Sequence, residues 1–222
     1  MRTYSRRAVG RKRTQRRTPS LLILRFDAEK LTRDGLQLAD ETRFVSQATQ
    51  LIGARVRLIS ATDSGDLLGK LGELAQTGAH FDLIVAIGHS NDRGIQIASD
   101  RFSSWEGLTE FLRPFAPRRL MLIACQAGCQ PAAQTLFRLL PPLRRIYASS
   151  ANVSRDLATF MLGFLLYLTP TKAPTADVIL MAQAAAFAVT RIYVREWRRG
   201  VGHEIRVTPF DDLAEIASRL LH

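Results

Sequence analysis

The sequence predicts an α/β fold, a three-layer αβα sandwich around a mostly parallel sheet. Two observations predict it: strand-like and helix-like segments alternate along most of the chain, and the strand-like segments are apolar on both faces. A strand that is apolar on both faces requires helices on each side of its sheet, and parallel neighbours require crossover connections. The length of 222 residues suits one such domain with ample core.

The first half of the chain predicts three strands and two helices. Short apolar runs predict buried strands at residues 20–26 and 81–89, and the alternating, β-branched segment 55–61 predicts another strand. Apolar residues at near-helical spacing predict a helix over residues 31–52, which Gly53 ends. A second helix begins at Asp63 or Ser64, because either side chain is a suitable N-cap.

The second half continues the alternation. The segment RGIQIAS predicts a short hairpin arm, and Ser103 with Glu106 has the spacing of a capping box before a helix. Further strands are predicted at residues 118–125, 144–151 and 203–209. The remaining helices are predicted directly after the turn that follows Cys125, over residues 155–168 and 175–196, and from Asp211 onward.

Positive charge is concentrated at the start of the chain. The formal net charge is +11, but residues 1–18 hold eight lysines and arginines and no acidic residue. The other 204 residues carry 23 basic and 20 acidic side chains. We therefore predict a basic disordered tail over residues 1–19 and one domain over residues 20–222. Such a tail can attach to phosphate-rich polymers or anionic lipid, but a solvated tail is the commoner case, and no specific nucleic-acid partner is expected.

The cysteine and histidine content limits the cofactors. Two cysteines favour a reduced, cytoplasmic setting over a disulfide scaffold. Cys125 and Cys129 show no metal-ligand spacing with the four histidines, so we expect no metal, and Cys129 is interpreted as a packed helix residue. No glycine-rich phosphate loop is present, so no nucleotide cofactor is expected. The longest apolar stretches fall short of the roughly 20 residues that cross a bilayer, so no transmembrane segment is predicted.

A histidine and a cysteine follow two of the predicted strands. His89 comes directly after the third strand, and Cys125 ends the fourth. In open α/β sheets the chemistry lies at the carboxyl ends of strands, where neighbouring strands bring side chains to one rim. A lone cysteine is usually a small buried residue and a lone histidine usually a cap, but their joint position favours a thiol–imidazole pair. Gly128 permits a tight turn after Cys125, and main-chain N–H groups near Ser90 and Cys125 suit an oxyanion.

The residues around this pair resemble a known family. The segments IGHSNDRGIQIASDRFSSWEGLTEFL and LMLIACQAG look like the caspase-like cysteine peptidases, and most like their bacterial CHAT type. The later segments YASSANVSRDLATFMLGFLLYL and PTADVILMAQAAAF resemble further CHAT stretches, so the resemblance spans about residues 20–207. It implies His89 as general base, Cys125 as nucleophile, and main-chain N–H groups of Ser90 and Cys125 as the oxyanion hole.

The resemblance also implies a fold and a biological setting. The sheet would have the strand order 2-1-3-4-5-6. The enzyme would make limited cuts in a partner protein encoded nearby, in bacterial defence or regulated cell death. Control would come from a separate regulatory protein or from the tail.

Three features depart from the family pattern. Gly128 lies three residues after Cys125, so this segment does not match the Gln-Ala-Cys-x-Gly pattern of the eukaryotic caspases. Ser90 stands where the family usually has glycine, and its Cβ crowds a close substrate approach. Ile123 stands where the related metacaspases carry an aspartate, which argues against their preference for arginine or lysine before the cut. Ser90 leaves a second interpretation open, a catalytically degraded caspase-like module that acts as a scaffold or interaction partner.

The substrate pocket has weaker candidates. Arg25 and Asp27 end the first strand, close to where caspase-like enzymes place pocket residues: an inward arginine would select an acidic side chain, an inward aspartate a basic one. Asn152, Ser154 and Asp156 follow the fifth strand and are the other candidates. Turn or capping roles explain these residues at least as well. The REWRR segment at 195–199 is interpreted as a solvated helix end rather than a site for an acidic partner or a base.

Overall fold

The described part of the chain is organised by a mostly parallel, seven-stranded sheet. The computed structural model describes residues 18–26, 54–60, 63–98, 101–149, 194–200 and 204–207, together with Ala184 and Ser218. The elements in chain order are β1 (Ser20–Phe26), β2 (Arg55–Ser60), α1 (Ser64–Gln76), β3 (Leu83–Gly88), β4 (Ser90–Asn91), β5 (Gly94–Ala98), β6 (Arg101–Ser104), α2 (Trp105–Leu112), a 3-10 turn (Arg113–Phe115), β7 (Arg119–Ile123), α3 (Gln130–Leu139), β8 (Arg145–Ser149), β9 (Val194–Arg199) and β10 (Ile205–Val207).

The strands lie in the order β10-β9-β8-β7-β3-β1-β2. Strands β1, β2, β3, β7 and β8 are mutually parallel. Strand β9 is antiparallel to both β8 and β10. The predicted α/β class and mostly parallel sheet are therefore confirmed, and the first five core strands lie in the predicted order.

The sixth position in the predicted order 2-1-3-4-5-6 is wrong. The strand beside β8 is β9, which the sequence analysis assigned to a helix over residues 175–196, and the segment predicted as the sixth strand forms β10 beyond it. Residues 195–199 are thus strand rather than a solvated helix end. Two sets of contacts allow this charged segment to lie in the sheet. The buried Glu196 pairs with arginines. Arg199 donates to the carbonyls of Phe137, Leu140 and Leu143, in the last turn of α3 and the segment after it.

The central strands of the sheet are buried on both faces. Alternate residues of β1, β3 and β7 pack in one core with α1, α2 and α3, and with Ile95 and Ile97 of β5. The residues that alternate with them, such as Ile23, Val85 and Met121, have no exposed surface either. Burial on both faces is typical of a parallel sheet between two layers, so the described residues are compatible with the three-layer sandwich. The predicted helices over 31–52, 155–168 and from Asp211 lie largely outside the described residues.

Two helix starts test the capping predictions. Asp63 is the N-cap of α1, and its side chain accepts from the Asp66 N–H at 2.8 Å, as predicted. For α2 the N-cap is Ser104, which accepts from the Gly107 N–H at 3.2 Å, and not Ser103. Ser103 is buried within β6, where its position in the strand leaves the cap to the next residue.

The hairpin predicted after the third strand is present and extended. Strands β4, β5 and β6 form a small antiparallel sheet of their own. Residues 1–17 of the predicted tail lie outside the described residues, and the carbonyl of Pro19 accepts from the Arg55 N–H at 2.8 Å. Within the described residues, no helix is both long and apolar enough to cross a bilayer.

Candidate functional site

The strands that precede His89 and Cys125 are direct neighbours. Strands β3 and β7 pair in parallel with Ile87 opposite Ile123. His89 and Cys125 each come two residues after this pair, so both leave the sheet at the same edge and at the same level. This is the adjacency that a thiol–imidazole pair requires, and it follows from two uninterrupted apolar runs whose registers match.

Ser90 connects the two segments. Its Oγ donates to the carbonyl oxygen of Cys125, which joins the start of β4 to the turn after β7. The His89 carbonyl accepts from the Gln96 N–H at 2.8 Å, which attaches the same segment to β5. The His89 side chain is exposed, whereas Ser90 and Cys125 are half-buried. Both His89 and Cys125 therefore have surface that a substrate could reach at this edge of the sheet.

The turn that carries Cys125 is held by the neighbouring strands. Gln126 has a φ of 56°, in the left-handed region that few residues other than glycine adopt. The Gly128 N–H donates to the Ser149 carbonyl at 2.6 Å, and the Gly128 carbonyl accepts from Arg195 Nη1 at 3.2 Å. The turn therefore rests on the end of β8 and on the start of β9.

Gly128 is required at this contact, which gives a testable prediction. A Cβ at Gly128 would lie 2.8 Å from the carbonyl oxygens of Ala148 and Ser149, and both are backbone atoms that cannot turn aside. We expect Gly128→Ala to lower the free energy of unfolding by roughly 1–3 kcal/mol, measured by urea denaturation. The control is Gly72→Ala in α1, where a Cβ meets nothing within 4 Å. That change should instead raise stability by about 0.5–1 kcal/mol, and a shared sign for the two variants would contradict the prediction.

Cys129 has a different environment from Cys125. It is the N-cap of α3, packs against the main core, and its Sγ lies 3.8 Å from the Asp92 carbonyl. Trp105 Nε1 donates to the same carbonyl at 3.0 Å. Both cysteines are free, so Cys129 serves packing rather than a disulfide with Cys125.

Of the predicted pocket residues, the structure describes Arg25. It lies on β1 opposite Ile87, so it shares the level of the Ile87–Ile123 pair on the same rim. The side chain is half-buried, and this burial lowers the pKa of its guanidinium. The other candidates, Asp27, Asn152, Ser154 and Asp156, lie outside the described residues.

The described residues hold no group of three or more histidine, cysteine, aspartate or glutamate side chains that could bind a metal ion. Two supports of the Cys125 turn escaped the sequence analysis. Arg195 was assigned to a helix end, and Ser149 gave no signal because the bond to Gly128 uses its main-chain carbonyl. The glycine three residues after the cysteine was the available indication of a tight turn.

No protein-family model and no curated protein matches this chain. The resemblance to the CHAT-type peptidases therefore rests on its sequence motifs.

Proposed function

We propose that this chain is a cysteine endopeptidase in which His89 is the general base and Cys125 the nucleophile. The observation that carries the proposal is the parallel register of β3 and β7, with Ile87 opposite Ile123, which brings both residues to one edge of the sheet. The hydrogen bond from Ser90 to the Cys125 carbonyl supports it, because that bond keeps the two segments in contact.

The proposed reaction needs only groups of this chain, the substrate and water. His89 takes the thiol proton, and the Cys125 sulfur attacks the peptide carbonyl carbon. The main-chain N–H groups of Ser90 and Cys125 hold the resulting oxyanion. The amine leaves with the proton from His89, which gives a thioester on Cys125. His89 then deprotonates a water molecule, whose attack releases the acid product and restores the thiol.

A caspase-like sheet is part of the same proposal. We infer a caspase-like sheet because β2, β1, β3, β7 and β8 follow the order that the resemblance implies, with β9 in the sixth position in place of residues 203–209. The proposed setting is the cytoplasm of a bacterium, with a protein substrate encoded nearby, in defence or regulated cell death.

One observation favours a second function, a caspase-like interaction module without activity. Ser90 replaces the usual glycine, and its hydroxyl is engaged by the Cys125 carbonyl. A side chain at this position narrows the approach to Cys125. A module of this kind would keep the fold, and its Cys125 thiol would have no enhanced reactivity.

Thiol reactivity separates the two functions. A thiolate reacts far faster than a thiol, so a base beside Cys125 should speed its alkylation. With iodoacetamide at neutral pH and peptide mass spectrometry, we expect Cys125 to be labelled at least about tenfold faster than Cys129 in the same molecule. His89→Ala should remove this advantage. His80→Ala, which changes an exposed histidine before the opposite end of β3, should leave it intact.

Equal labelling of the two cysteines in the unaltered chain would contradict the dyad and support the interaction module. The dyad would also be contradicted if both histidine variants lost the faster labelling of Cys125, because His80 precedes the start of β3 whereas His89 follows its end.

A further inference from the structure

Four arginines form a row across four neighbouring strands. Arg119 of β7 lies opposite Arg145 of β8, Arg145 lies opposite Arg198 of β9, and Arg198 lies opposite Arg206 of β10. Directly paired residues project from the same face of a sheet, and adjacent strands are about 4.8 Å apart. We call these four residues the arginine row.

The arginine row is costly for the fold by itself. Like charges at directly paired positions destabilise a sheet. The pKa of Arg119 is lowered, chiefly by burial and also by the positive charge of Arg145. Carboxylates offset part of this repulsion: Glu196 pairs with Arg145 and Arg198, Glu204 pairs with Arg206, and the negative charge of Asp82 acts on Arg119.

Three members of the row have exposed surface, and two more arginines lie next to the row. The exposed fraction of the side chain rises from 26% at Arg145 to 37% at Arg198 and 68% at Arg206. Arg118 and Arg144 are exposed, and the Arg144 N–H donates to the Arg118 carbonyl at 2.8 Å, so the two are neighbours. Within the ranges that the structure describes, neither forms an ion pair with a carboxylate. These six residues are the arginine edge.

We propose that the arginine edge binds an acidic segment of a protein. Guanidinium groups pair with carboxylates in a bidentate manner, and the fixed strand spacing presents several of them in one line. A single-stranded nucleic acid fits less well, because such sites combine basic groups with exposed aromatic rings for base stacking. The aromatic residues nearest in the strands, Tyr147 and Trp197, are buried.

This surface is separate from the Cys125 turn. The row lies where β7 and β8 begin, and Cys125 follows the other end of β7. Cys125 is the sixth residue after Arg119, and six residues correspond to about 20 Å of extended strand. The proposal therefore holds whether or not Cys125 is catalytic, and its test uses binding alone.

The test measures binding of a fluorescein-labelled peptide of ten alternating aspartates and glutamates to the full chain by fluorescence anisotropy. The variant Arg118→Gln/Arg144→Gln/Arg206→Gln changes exposed residues and leaves the pairs of the buried Glu196 intact. We expect its Kd to rise about tenfold, since each exposed ion pair contributes a few-fold in affinity. The charge-matched control is Arg57→Gln/Arg93→Gln/Arg101→Gln, three exposed arginines elsewhere, which should change the Kd less than about twofold.

Three results would overturn the proposal. An unchanged Kd in the first triple variant, or an equal rise in the control, would assign the binding to the basic tail or to general charge. A ten-nucleotide oligothymidylate that binds more tightly than the peptide, with the same dependence on the arginine edge, would assign the surface to nucleic acid instead.

Discussion

Replacing Cys125 by alanine is expected to abolish proteolysis and to leave the fold intact. No other group in the proposed dyad can form the thioester, so activity should fall below detection, a loss of at least about a thousandfold. The side chain is small and half-buried, so the free energy of unfolding should change by less than about 1 kcal/mol. The measurement is a survey of new protein N-termini in cells that express the unaltered chain or the variant.

The control for this experiment is Cys129→Ala, because Cys129 packs against the core and lies at the start of α3. Cells with this variant should show the same new N-termini as cells with the unaltered chain. New termini that persist with Cys125→Ala would exclude Cys125 as the nucleophile. If the unaltered chain also produces none, the interaction module becomes the better description.

Replacing Glu196 by alanine is expected to cost about 3–5 kcal/mol of stability. The Glu196 side chain is fully buried, and its carboxylate lies 3.3 Å from Arg145 Nη1 and 2.6 Å from Arg198 Nη2. Without it, two half-buried guanidinium groups at opposite positions of β8 and β9 would face each other without an anion between them. The measurement is the free energy of unfolding from urea titration.

The chain supplies a matched control at the neighbouring pair. Glu204 is 57% exposed, and its carboxylate lies 2.9 Å from Arg206 Nη2. Since exposed pairs contribute at most about 1 kcal/mol, Glu204→Ala should have a small effect. Similar losses in the two variants would mean that burial of Glu196 does not decide its contribution.

The sequence predicted the central strands of the sheet well and the strands at the β9 side poorly. Strands β1, β3, β7 and β8 are apolar runs that only a doubly covered sheet can bury, so their type follows from hydropathy, whereas their order was implied by the family resemblance. Strand β9 has four charged residues among six, and charge normally indicates solvent. Its place in the sheet depends on Arg145, about fifty residues earlier in the chain, and a local pattern cannot contain that partner.

The candidate site was also predicted only in part. The sequence placed His89 and Cys125 directly after two apolar strands, and these strands, β3 and β7, are neighbours in the sheet. The support of the Cys125 turn was not predictable, because it uses the main-chain carbonyl of Ser149 and the side chain of Arg195, a residue assigned to a helix. Asp27, Asn152, Ser154 and Asp156 stay predictions.

The position of β9 in the chain has a consequence for biosynthesis. Strand β8 is complete at Ser149, but the strand that covers its free edge begins only at Val194. At roughly 5–20 residues per second, a ribosome needs several seconds to synthesise the intervening segment. During that interval the nascent polypeptide presents an unpaired β-edge with Arg145 and Tyr147 on it, and such edges recruit other extended chains. We expect the nascent chain to need chaperone protection during this interval, which ends when β9 pairs with β8 and Glu196 contacts Arg145.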